Sequence, residues 1–313
     1  RLHTRDWNQP RRQTDIYLVS AKDGLASTRP MTFTQDKNEA SPRWARDGKF
    51  FVFISNRDAP SALSGGSAAG GGNATAQNQI YIMRPDGGEA RKITDAKDGV
   101  STLDFSKDGR WLVYRSGKAD EEQLYELPVV GIDSAKPVQL THQQAGVGLW
   151  KWSPDSRRIY FVTADTLDND EKLRVEKKFN VAIRNMATPL SSLWALDVDT
   201  RKATRLTRDT AITVTDFNIS PDGRWIGYHG TAANRYMRNI TEQDIYSDLY
   251  LLESSTGGIE RLTNHTEVGE SDREFSPDSK WIAFSATDDM TRSSMTDKRV
   301  YLRGVNDQGG HFR

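Results

Sequence analysis

Apolar residues in this chain recur in short runs rather than at helical spacing. Five stretches carry nearly the same pattern: RWARDGKFFVFISNRD, DFSKDGRWLVYRSGKAD, KWSPDSRRIYFVTAD, NISPDGRWIGYHGTA and EFSPDSKWIAFSATDD. Each has a Ser-Pro-Asp-Gly-like tetrad, a Lys or Arg, and then five or six apolar or aromatic residues. Ser suits the first position of a type I turn, Pro presets φ at the second, Asp fits the third, and Gly takes the fourth. Ser156 and Ser279 stand where the other copies have Gly, so a positive φ there implies strain of roughly 1 kcal/mol. The aromatic and β-branched run after each tetrad, such as Trp281-Ile282-Ala283-Phe284, has the profile of a buried strand.

A second pattern comes after each first one: QIYIMRPDGGEARKIT, QLYELPVVGIDSAKPVQLT, SLWALDVDTRKATRLT and DLYLLESSTGGIERLT. These read as hairpins around Asp-Gly, Asp-Thr or Gly-Gly. An orphan copy, DIYLVSAKDGLASTRPMT, precedes them, and RVYLRGVNDQGGHFR closes the series. One unit is therefore two hairpins, or four antiparallel strands. The turn aspartates Asp47, Asp108, Asp155, Asp222 and Asp278 are 61, 47, 67 and 56 residues apart. Without the extra segments in the long intervals, roughly 40 residues remain per unit, the period of a four-stranded propeller blade. The expected fold is an all-β propeller of about five blades with partial blades at the termini. The two ends do not complement each other, so residues 1–313 are expected to be an incomplete propeller from a longer chain.

Three extra segments fall between the second and third strands of their units, which places them on one face of each blade, where repeat proteins often bind. Residues 59–78 are Gly-, Ala- and Ser-rich and read as a flexible insertion. Residues 165–190 form a charged insertion in which Arg174, Lys177, Lys178 and Arg184 stand beside Phe179, Val181 and Ile183. These four cations are the candidate substrate-access or interdomain contacts. The third segment surrounds TAANRYMRNITEQD.

Composition narrows the function. Lys plus Arg and Asp plus Glu balance at 43 each, so no global field favours nucleic acid or an anionic membrane. No apolar run approaches the roughly 18 residues of a membrane helix. The absence of cysteine removes disulfides, thiolate catalysis and Cys-based zinc sites. Ser67 has Gly65 before it but Ala69 after it, which breaks the Gly-x-Ser-x-Gly elbow. The five histidines lack metal-ligand spacing, and His229, at the end of a core strand, reads as structural. DTLDND lacks the Gly and terminal Glu of a calcium loop, and Glu121-Glu122 reads as a surface pair. No catalytic residue, metal site or cofactor is expected, and the five turn aspartates are assigned to structure.

The SPDG…WIAF and IYxL…RLT pair resembles the propeller repeat of two groups, the prolyl oligopeptidase family of serine peptidases and the periplasmic Tol–Pal translocation protein B. RDWNQPRRQTDIYLV with the first tetrad copy, and the 165–190 insertion, are similar to bacterial acylaminoacyl- and dipeptidyl-peptidase-like enzymes. That resemblance implies a seven- or eight-bladed propeller that restricts entry to short peptides. The catalytic triad would sit in an α/β-hydrolase domain absent from these residues, and no triad residue maps onto them. The implied partners are that hydrolase domain and short peptides, with a homo-oligomer compatible. The implied compartment is periplasmic or secreted, with the cytoplasm left open. The alternative is a non-enzymatic protein-binding propeller of the Tol–Pal type.

Overall fold

The structure, a computed structural model, describes residues 2–5, 12–35, 37–58, 78–165, 173, 176, 177, 190–208, 212–232, 247–264, 270–287 and 298–306. It divides into two compact units, Arg1–Val147 and Gly148–Arg313.

In the first unit, β1 (Leu2–Arg5) pairs with β2 (Arg12–Asp15), and β3 (Tyr17–Ser20) pairs with β4 (Gly24–Pro30). Two four-stranded antiparallel sheets come next. One holds β5 (Glu39–Trp44), β6 (Phe51–Ser55), β7 (Gln79–Arg84) and β8 (Gly87–Lys92); the other holds β9 (Val100–Phe105), β10 (Trp111–Ser116), β11 (Gln123–Pro128) and β12 (Val138–Gln139). In the second unit, β13 (Trp150–Trp152), β14 (Arg158–Ala164), β15 (Ser191–Asp197) and β16 (Ala203–Arg205) form one sheet. The next consists of β17 (Ile212–Ile219), β18 (Trp225–Ala232), β19 (Ser247–Glu253) and β20 (Ile259–Arg261). The last described sheet has three strands, β21 (Ser271–Phe275), β22 (Trp281–Thr287) and β23 (Lys298–Gly304). Every four-stranded sheet is an up-and-down meander in chain order, the build of a propeller blade.

The tetrad makes the first turn of each sheet by a hydroxyl–carboxylate relay. The hydroxyls of Ser106, Ser153, Ser220 and Ser276 each donate to the aspartate two residues on, at 2.6 Å. The same oxygens accept the N–H groups of Trp111, Arg158, Trp225 and Trp281 at 2.9–3.0 Å, which pins the start of the second strand. In the first copy Ala45 replaces the serine, and Asp47 accepts the Lys49 N–H at 3.1 Å and faces the Lys49 ammonium at 3.4 Å. Ser156 and Ser279 adopt φ of 62° and 58°, the left-handed region that Gly48, Gly109 and Gly223 occupy in the other copies. Ser279 has a compensating contact, since its hydroxyl accepts the Asp222 N–H at 3.0 Å.

Packing between sheets obeys strand alternation. Ile226, Tyr228, Tyr250 and Leu252 of the β17–β20 sheet meet Tyr160, Val162, Leu193 and Ala195 of the β13–β16 sheet. On the other face, Leu249 and Leu251 meet Phe275, Ile282 and Phe284. Gly230 belongs to this fit, because a Cβ there would lie 2.8 Å from the Tyr250 ring, which stacks on Tyr228. The strand after each tetrad is thus not uniformly buried. In the last sheet Ile282 is fully buried while Trp281, one residue earlier on the opposite face, is 41% exposed. The cause is the missing cover: among the described residues only one face of that sheet has a neighbouring core.

Candidate functional site

The predicted access residues are only partly described. Lys177 is exposed, and its backbone N–H bonds to the Leu173 carbonyl at 2.9 Å. Arg174, Lys178 and Arg184 lie outside the described residues, as does the insertion at 59–77. The base of the 165–190 insertion is well defined. Asp165 N–H bonds to the Leu190 carbonyl at 2.6 Å, and Arg205 ties the Asp165 carboxylate at 2.9 Å and the Ser192 hydroxyl at 2.7 Å. The second and third strands of each sheet are joined at the end opposite the tetrad turn, through residues 56–78, 117–122, 165–190, 233–246 and 288–297. The last of these is too short to stand out in the sequence by spacing.

The five turn aspartates sit in turns, hydrogen-bonded to backbone N–H groups. The Ser276 hydroxyl and the Lys280 N–H hold the exposed Asp278 below the usual carboxylate range. Carboxylates saturated in this way are turn locks.

A dense polar constellation lies elsewhere, on strands β13, β17, β18 and β21 of the second unit. Arg273 on β21 is 5% exposed at its side chain, and its Nη1 lies 2.7 Å from Asp216 Oδ1 on β17. The same Nη1 is 2.7 Å from His229 Nδ1 on β18, and Nε donates to the Gly227 carbonyl at 3.1 Å. Asn218 Nδ2 donates to the Arg273 carbonyl at 2.9 Å, and the Lys151 ammonium on β13 donates to Asn218 Oδ1. Burial works to raise Asp216, but the His229 hydrogen bond and the Arg273 charge overcome it and leave the carboxyl at about 2. Burial, then the Arg273 charge, holds Lys151 below the ordinary lysine range.

Alignment of the tetrads shows how the sequence disguised this cluster. Three residues before each tetrad stand Pro42, Leu103, Trp150, Phe217 and Arg273. Leu103, Trp150 and Phe217 are core residues, so the last copy puts an arginine where the repeat buries an apolar side chain. The burial of His229 agrees with its structural reading, but its ring is shared between two charged groups. A guanidinium only donates, so the ring accepts from Arg273 when Nδ1 is bare and donates to Asp216, 3.0 Å away, when Nδ1 is protonated. Asp–His geometry of this kind would support a nucleophile in a hydrolase, yet the nucleophile would have to meet the other ring nitrogen, and His229 Nε2 is buried with no hydrogen-bond partner among the described residues. Within the cluster the half-exposed Asp216 carboxylate is paired with Arg273 and His229, and the Lys151 ammonium with Asn218. No group of three or more His, Cys, Asp or Glu among the described residues is arranged to hold a metal.

Clefts open between neighbouring sheets among the described residues. One of about 640 Å³ is lined by Arg158, Asp197, Arg205, Arg208 and Thr256; another of about 670 Å³ is lined by Phe50, Met83, Arg91, Val129 and Asp133. The first lies within the second unit and the other within the first.

Meanders of this repeat, stacked face to face, define a β-propeller, and solved structures agree on the fold. An oligogalacturonate lyase from Vibrio parahaemolyticus superposes with a TM-score of 0.56 at 17% identity, over 93% of this chain and 69% of that one. A prolyl endopeptidase superposes with a TM-score of 0.54 at 13% identity, over 86% of this chain and 34% of its own. No family model matches the chain. In sequence it is similar to the uncharacterized peptidase YuxL of Bacillus subtilis, at 32% identity over 139 residues, 44% of this chain and 18% of that protein. It is also similar to dipeptidyl-peptidase 5 of Porphyromonas endodontalis, at 21% identity over 231 residues, 67% of this chain and 33% of that protein. The chain spans less than half the length of these curated relatives. It is a propeller with peptidases among its sequence relatives.

Proposed function

We propose that these residues are the substrate-gating propeller of a serine peptidase of the prolyl oligopeptidase type acting on short peptides. The catalytic triad would then lie in an α/β-hydrolase domain of the same polypeptide, and residues 1–313 alone would have no peptidase activity. The observation that carries this reading is the 139-residue stretch at 32% identity to a protein described as a peptidase. In this reading such a domain would sit at the sheet ends opposite the tetrad turns, from which the insertions depart. In this reading the 165–190 insertion, latched at its base by Arg205 and Asp165, is the access element, with Arg174, Lys177, Lys178 and Arg184 as its contacts.

The test is intact-mass spectrometry of the native protein, with a fluorophosphonate serine-hydrolase probe added to half the sample. A species well above 35.2 kDa that gains one adduct, and that cleaves short peptides but not folded proteins, is expected. A species of 35.2 kDa without an adduct would sink the peptidase reading and leave a protein-binding propeller.

A further inference from the structure

Six residues before the first residue of each tetrad stand Glu39, Val100, Val147, Val214 and Glu270. All five are at most 3% exposed. Three copies bury a valine, and two bury a carboxyl group in the same place. A second position changes with it. Thr32, Thr94, Thr141, Thr207 and Thr263 each accept the N–H that starts a third strand, at 2.8–2.9 Å. The residue just before that N–H is Gln79, Gln123 or Ser192 ahead of a valine copy, but Asp15 ahead of Glu39 and Asp248 ahead of Glu270. Acid therefore accompanies acid at two seams of the repeat.

The two seams are answered differently. Glu39 receives Arg57 Nη2 at 3.3 Å and the Ser55 hydroxyl at 3.2 Å. Glu270 faces Asp248 from β19 and Arg261 from β20, but the guanidinium is committed elsewhere. It bonds Asp248 at 2.5 Å and the Thr263 carbonyl at 3.0 Å. Neither Glu270 oxygen has a hydrogen-bond partner of normal geometry among the described residues, with the Thr263 hydroxyl nearest in kind. One arginine thus confronts two carboxyl groups, and a second negative charge in so dry a place is opposed by burial and by Asp248 together.

We propose that Glu270 is a proton-holding residue at the seam between the β17–β20 sheet and the β21–β23 sheet. The protonated acid keeps the seam closed; loss of its proton sets a second negative charge beside Asp248 and loosens the joint. Burial first, and Asp248 next, push the Glu270 carboxyl up to about 8, against smaller opposing effects of Thr263 and Arg261. The folded value lies above the unfolded one, so the unfolded chain gives up the proton first as pH rises. Stability from the seam is complete below about pH 4.5, falls as pH climbs, and is constant again above about pH 8.

The test compares wild type with Glu270→Val, the residue of three other copies, and with Glu270→Gln. Folding constants are measured by urea unfolding from pH 5 to 9. Between about pH 5 and pH 8 wild type should lose up to about tenfold per pH unit relative to either variant, with no further loss up to pH 9. Infrared spectra of protein carrying ¹³C-labelled glutamate carboxyls supply a second reading, taken as the band that Glu270→Gln lacks, because burial raises Glu39 as well. A protonated-carboxyl band should persist at neutral pH and vanish as pH rises through about 8. No such band at neutral pH, or an unchanged pH slope in Glu270→Val, would overturn the proposal.

Discussion

Replacing Arg273 with methionine tests the polar cluster most directly. The side chain is 5% exposed and makes three contacts, to Asp216 Oδ1, His229 Nδ1 and the Gly227 carbonyl. Methionine fills much of the same volume, so the loss is mainly polar. A hydrogen bond to a charged group is worth about 1.5–3 kcal/mol, and leaving its partner buried adds to that. Asp216 is 46% exposed and regains water when Arg273 leaves, so its share must be discounted to about 1 kcal/mol. The Gly227 and His229 contacts, both in buried surroundings, supply the rest, and about 3 kcal/mol is expected in total. Urea unfolding gives the total, and a double-mutant cycle with Asp216→Ala gives the pair. The pH profile adds a sign. Asp216 is depressed in the folded state, so its stabilisation is present above about pH 4 and lost as pH falls toward about 2. That acid-side loss should shrink in Arg273→Met. A total change within 0.5 kcal/mol, or zero coupling to Asp216, would refute the assignment of Arg273 as the keystone and reduce it to a space-filler.

Two further changes probe the repeat. Ser220→Ala removes a hydroxyl that holds both Asp222 and the Trp225 N–H, and should cost about 1 kcal/mol in thermal or urea unfolding. The first copy, which has Ala45 at this place, shows that the turn still forms. Gly230→Ala drives a methyl into the Tyr250 ring, 2.8 Å from where Cβ must go, and should cost about 1–3 kcal/mol by overpacking; a neutral result would mean that the Tyr228–Tyr250 stack yields easily.

The repeat is legible in the sequence because its chemistry is local. A Ser-x-Asp-Gly turn closes on its own hydroxyl and carboxylate within five residues, and strand alternation does the rest. The strain expected at Ser156 and Ser279 is present for the same reason: the turn dictates φ whatever residue fills it. The insertions are conspicuous by charge and length, and they draw the candidate site toward themselves. The Asp216–His229–Arg273 cluster escapes such a reading because Arg273 is 57 and 44 residues from its two partners. The three meet only when three strands from two sheets are stacked. Net charge, motif spacing and histidine count carry no trace of it. Comparing the copies position by position does, since Arg273 stands where Phe217 stands one copy earlier.

In a chain that writes one structural unit five times, each copy is a control for the others. Any residue that satisfies the fold in three copies could satisfy it in all five, so a costly substitution in one copy needs a reason beyond folding. Arg273 forgoes the roughly 2 kcal/mol that a buried apolar side chain contributes there. Glu270 replaces a buried valine with a carboxyl whose oxygens have no hydrogen-bond partner of normal geometry among the described residues, and the Arg261 guanidinium it faces is bonded to Asp248. The two departures are three residues apart, at the head of the last described sheet, and each reaches across to the β17–β20 sheet rather than into its own. Arg273 brings a fixed charge that binds the sheets through Asp216, and Glu270 brings a proton whose loss would part them. Placed together on β21 and its lead-in, they make this seam respond to solution conditions in a way that a valine–phenylalanine copy cannot.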